Sequence, residues 1–114
     1  MNTLSLSYPE HGGMLLGVQV DGEPFYWLGQ ELPGSLYDFI LSLWLPGNYF
    51  LLTCTCGMFE CAGLEFPIRV RHDSDRIFWD IEEPTPARML VFDRTQYAGE
   101  VQRMIAAKLL DTRD

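Results

Sequence analysis

Apolar and polar residues alternate along most of this chain, and the alternation gives way to helical spacing in two places. Leu4, Leu6 and Tyr8 alternate with serines, which predicts a strand over 4–8. His11-Gly12-Gly13 reads as a turn, and residues 14–20 (MLLGVQV) as a second strand. Asp21-Gly22 suits the positive φ angles of a two-residue type I′ turn, so residues 23–28 are expected to return antiparallel. That register opposes Val18 to Phe25 and Leu16 to Trp27. Pro24 has no amide hydrogen to donate, which places the returning strand at a sheet edge.

Residues 33–47 (PGSLYDFILSLWLPG) predict a short helix, capped by Ser35 and stopped by Pro46-Gly47. Leu36, Phe39, Ile40 and Leu43 recur at helical spacing. Leu41 and Trp44 carry apolar character round the cylinder, so the helix is expected to be well buried. Residues 48–56 (NYFLLTCTC) predict a strand with Phe50, Leu52, Cys54 and Cys56 on one face. Residues 57–63 connect it to a strand over 64–72, whose Leu64, Phe66, Ile68, Val70 and His72 share a face.

A turn at 73–76 leads into a strand over 77–81. Opposing His72 to Ile77 sets Val70 against Trp79 and Ile68 against Ile81; on the outer face it sets Arg69 against Asp80 and Arg71 against Phe78. One register satisfies both faces. After a loop at 82–87 and a short strand at 88–92, Asp93 caps the last helix, with Gln96 three residues on. Tyr97, Val101, Met104, Ile105 and Leu109 form its buried stripe, Gln96, Glu100 and Arg103 its wet side. The expected fold is one α+β domain over 1–114: a mostly antiparallel sheet of about six or seven strands with two helices packed on one face.

Charge changes this picture most. The net charge is −8, and it is distributed unevenly. Residues 1–68 hold seven acids (Glu10, Asp21, Glu23, Glu31, Asp38, Glu60 and Glu65) and no Lys or Arg; all eight bases lie from Arg69 onward, among nine acids. Binding to nucleic acid needs a basic face and is not expected. A basic protein partner is, with Asp21, Glu23, Glu31 and Asp38 as the contact residues. The composition, 47% hydrophobic and 21% charged, is that of a globular protein. The first residues (MNTLSLSYPE) lack the basic and apolar regions of a secretory signal. The longest apolar run, 39–45, falls far short of the ~20 residues of a membrane span. A cytoplasmic protein with reduced thiols and no membrane partner is expected.

The three cysteines, Cys54, Cys56 and Cys61, fall within eight positions. The simplest reading is that they are small buried side chains at the closed end of a hairpin bracketed by Gly57 and Gly63. The alternative is a zinc site on the same three residues with His72 as a fourth ligand. On an extended strand Cys54 and Cys56 stand roughly 6.5–7 Å apart. Thiolates sharing one zinc lie about 3.7 Å apart, so the strand would have to bend. The predicted hairpin also carries His72 to the far end of its strand. A thiol nucleophile is disfavoured locally: no base adjoins these cysteines, and Glu60 beside Cys61 raises a thiol pKa. Asp73 and Asp75 suit turn chemistry, and Asp80, Glu82 and Glu83 a solvated rim, better than acid–base work.

The stretch TCTCGMFECAG, then VRHDSDRIFWDI and VFDRTQY, resembles a group of small bacterial proteins of uncharacterised function. They are similar in a Cys-x-Cys-Gly…Cys-x-Gly loop, a following hairpin carrying a Trp, and a Phe-Asp-Arg-x-x-Tyr entry to a final helix. The resemblance spans about residues 50–100 and implies no activity. The expectation is therefore a non-enzymatic protein that binds a basic partner through an acidic surface, in the manner of an immunity protein or antitoxin, with no cofactor. The alternative remains a small zinc protein.

Overall fold

The computed structural model describes residues 1–8, 15–27, 30–53, 67–82 and 87–111. The fold is α+β, with strands β1 (Leu4–Ser7), β2 (Leu15–Val20), β3 (Glu23–Pro24), β4 (Tyr26–Trp27), β5 (Gln30–Glu31) and β6 (Gly34–Ser35), helix α1 (Leu36–Trp44), strands β7 (Gly47–Tyr49), β8 (Ile68–His72), β9 (Arg76–Ile81) and β10 (Arg88–Asp93), and helix α2 (Arg94–Asp111). Two four-stranded antiparallel sheets form. The first runs β1-β2-β3, with β6 also on β2; the second runs β10-β9-β8-β7; β4 and β5 make a separate two-stranded ribbon.

The Asp-Gly turn forms as its chemistry predicts. Asp21 and Gly22 take φ of 56° and 82°. Gln19 opposes Pro24 and Val20 opposes Glu23, and the Phe25 amide donates to the Val18 carbonyl at 3.0 Å. Beyond Phe25 the expected pairing of Leu16 with Trp27 is not made. Leu16 instead opposes Gly34 of β6, while Trp27 opposes Gln30. Segment 23–35 therefore breaks into four short strands where one was expected. Gly34 makes the close approach possible: a Cβ there would lie 2.7 Å from Val18 Cγ2 and 2.9 Å from Phe39 Cε2.

The β8–β9 hairpin has the predicted register, with Arg69 on Asp80, Val70 on Trp79, Arg71 on Phe78 and His72 on Ile77. Of the strand expected over 48–56, residues 48–53 are described, and only the first part of them is strand. β7 ends at Tyr49, and Leu51, Leu52 and Thr53 are all buried, so the two-face alternation fails there. This stretch crosses β6 instead: Ser35 donates to the Leu51 carbonyl at 2.9 Å, and Thr53 to that of Pro33 at 2.8 Å.

Both helices start where their caps predict. Ser35 Oγ accepts from the Asp38 amide at 3.4 Å, and Asp93 Oδ2 from the Gln96 amide at 2.9 Å. The core joins both sheets and both helices around Trp79, whose ring lies 4.7 Å from Phe92, 5.9 Å from Phe25 and Phe39, and 6.2 Å from Tyr97. Two expectations of burial fail. Leu109, in the last turn of α2, is 63% exposed, and Trp44 of α1 is 68% exposed.

Candidate interaction surface

The polar groups nearest the core form one directed chain of hydrogen bonds. Trp79 Nε1 donates to Tyr97 Oη at 3.3 Å, Tyr97 Oη to Ser42 Oγ at 2.7 Å, and Ser42 Oγ to the Phe39 carbonyl at 2.8 Å. The bond to Phe39 uses the single proton of the Ser42 hydroxyl, so the middle bond runs from Tyr97 to Ser42. Burial pushes the Tyr97 phenol well above its ordinary pKa, against the bonds to Ser42 and Trp79, so it remains a neutral donor. The Ser42 carbonyl accepts from His72 Nε2 at 2.7 Å, and His72 Nδ1 accepts from Arg94 Nη2 at 2.8 Å. Those partners assign the neutral tautomer with its proton on Nε2.

This cluster holds serine, histidine, tyrosine and arginine, yet it is not wired for nucleophilic catalysis. His72 reaches the backbone carbonyl of Ser42, while the hydroxyl is bonded to Phe39 and Tyr97. The same bonds engage both His72 nitrogens. Among the described residues no group of three or more His, Cys, Asp or Glu gathers to hold a metal. Cys54, Cys56 and Cys61 lie outside the described residues, as does Glu83.

Two of the other carboxylates read as candidates, Asp73 and Asp80, are structural. Asp73 Oδ1 accepts from the amides of Asp75 and Arg76, and these bonds with the Arg76 guanidinium hold its pKa below the ordinary value. Asp80 accepts a two-point grip from Arg71, which lowers its pKa in turn. Arg71 also lies 4.7 Å above the Phe78 ring.

The four acids read as partner contacts differ in what the fold does with them. Asp21 is committed to the fold. Its Oδ2 accepts from Asn2 Nδ2 at 2.7 Å and its Oδ1 from the Thr3 amide at 2.8 Å, and these bonds lower its pKa. Glu23 shares the same hairpin end, in β3, and is exposed. Glu31 is exposed on β5, opposite Tyr26. Asp38 is half-buried in the first turn of α1, where a negative charge suits the helix dipole.

Sequence reasoning missed the outward face of α1. Tyr37, Leu41 and Trp44 fall at i, i+4 and i+7, on the side away from the buried Leu36, Phe39, Ser42 and Leu43. Tyr37 is 66% exposed, Trp44 68% and Leu45, the C-cap, 60%. The signal was present as apolar character all round the helix; what it could not say was that the fold covers one side.

Comparison of the chain with protein-family models, with curated proteins and with solved structures gives no match. No helix among the described residues is long and apolar enough to cross a membrane.

Proposed function

We propose that this is a non-enzymatic, cytoplasmic protein-binding module that uses an acidic surface to hold a basic partner, in the manner of an immunity protein or antitoxin. The observation that carries this reading is the charge distribution: net −8, with seven acids and no Lys or Arg across residues 1–68. Such asymmetry steers a cationic partner and disfavours nucleic acid. Glu23, Glu31 and Asp38 remain the acids available for contact, since the Asp21 carboxylate is bonded to Asn2 and Thr3.

Affinity capture from the native host, followed by titration of the purified captured protein, tests the reading. The expected partner is basic, and its affinity falls by about tenfold or more when salt rises from low to high concentration. Capture of nothing, or binding indifferent to salt, sinks the electrostatic reading. Elemental analysis of protein purified without chelator separates it from the zinc alternative, with well under one zinc per chain expected.

A further inference from the structure

A helix that is apolar all round is covered on all sides in the state in which it works, by its own protein or by something else. α1 carries large apolar side chains on two sides, with Asp38 between them, and the fold covers one of those sides. Its other side presents Tyr37, Leu41, Trp44 and Leu45, with Tyr37 and Trp44 two thirds exposed. Large aromatic residues in this setting are the residue types that anchor protein interfaces.

We infer that the outward face of α1 is the docking surface for the partner, and that the occupant is a cationic, amphipathic segment of another protein. This rests on the acidic-binding reading above and names the surface it uses. Charge complementarity selects the occupant. The chain carries −8, Asp38 borders the face, and no Lys or Arg occurs anywhere from residue 1 to residue 68. A second copy would bring a second −8 against the first, and an anionic lipid surface would repel the chain in the same way. A segment bearing Lys or Arg among apolar side chains meets the surface on both counts. Its apolar residues cover Leu41 and Leu45, and its cations lie over the rings of Tyr37 and Trp44 or beside Asp38. With Tyr37 66% and Trp44 68% exposed, both α1 rings are accessible to a cation from outside.

The test uses the full chain and three synthetic peptides of equal length: an amphipathic helix of Lys, Leu and Phe; a poly-lysine; and a neutral version of the first with Gln for Lys. Tryptophan emission reports the contact, and the difference between the parent and Trp44→Phe separates the Trp44 signal from those of Trp27 and the fully buried Trp79. The amphipathic cationic peptide is expected to bind and shift the Trp44 emission to shorter wavelength. Trp44→Ala and Tyr37→Ala each weaken it by roughly tenfold or more. Both side chains are exposed, so both variants keep the fold, which circular dichroism checks. Asp21→Asn binds as the parent does. If poly-lysine binds equally well and the α1 variants change nothing, the surface is wrong while the acidic reading stands. If no cationic peptide binds, both fail. Equal binding of the neutral peptide, uptake by zwitterionic lipid vesicles, or a dimer that Trp44→Ala dissolves would each overturn the cationic occupant.

Discussion

Trp79 gives its indole N–H to Tyr97, and with phenylalanine at 97 that donor would stay in the core without its acceptor. The ring of residue 97 would still pack against Phe39, Phe92 and Trp79. Only the oxygen would be lost, and with it the middle of the chain from Trp79 to Phe39. An unpaired buried donor costs about 1–3 kcal/mol, whereas the methylene count of the core is unchanged. Tyr97→Phe is therefore expected to lower the unfolding free energy by about that much in urea, with an unaltered m-value. A loss below about 0.5 kcal/mol would mean that the Trp79 N–H finds another acceptor. None of this was legible from the sequence. Tyr97 lies on a helical apolar stripe, which is reason enough to bury it. Nothing in the periodicity says that Ser42, 55 residues away, supplies the acceptor for its hydroxyl.

β1 would be an open edge without α2. The N–H and C=O of Leu4 are both taken by the Gln96 side chain. The Leu6 amide donates to Glu100 Oε2 at 2.9 Å, and Arg103 Nη2 donates to the Leu6 carbonyl at 2.6 Å. One helical row, i, i+4 and i+7, thus plays the part of a neighbouring strand, and Tyr8 Oη closes the contact by donating to the Met104 carbonyl at 2.8 Å. Glu100→Ala strips the Leu6 amide of its acceptor and Arg103 of its counter-ion. The expected results are a loss of about 1–2 kcal/mol and faster hydrogen exchange at Leu6, partly reversed in Glu100→Gln, which keeps an oxygen in place. Unchanged exchange at Leu6 in the alanine variant would refute the edge-sealing role. Gln96, Glu100 and Arg103 were readable as a polar row, but water and an open strand edge demand the same residue types from a helix. By contrast the β8–β9 register was readable, because two faces had to be satisfied at once. The ladder of 23–28 was only half readable: the Asp21-Gly22 turn sets its start, while the approach of Gly34 to Val18 and Phe39, which diverts Leu16, is a tertiary event.

At the scale of the whole molecule, two electrostatic effects oppose one another as pH falls. Protonating carboxylates relieves the self-repulsion of a chain at −8, which favours the compact state. Against this stand carboxylates whose folded pKa lies below the ordinary value. Asp21 is lowered by Asn2 and Thr3, Asp73 by the Asp75 and Arg76 amides, and Asp80 by Arg71. For Glu100, desolvation pulls upward but is outweighed by Arg103 and the Leu6 amide. A depressed folded pKa contributes stability that is complete above the unfolded value, about 4, and is lost as pH drops through the folded one. The opposing effects make the absolute pH profile of the parent a poor discriminator. The difference between parent and variant isolates one group. Asp80→Asn leaves Arg71 without its charged partner and changes the total charge by one. Its destabilisation relative to the parent should be constant from about pH 7 to about pH 5 and shrink towards zero below about pH 4, as Asp80 in the parent becomes protonated too. Thermal melts of both proteins across that range measure it. A gap that widens on acidification would mean that the Asp80 carboxylate is not held by Arg71, and that the bidentate contact across the β8–β9 hairpin carries no share of the stability.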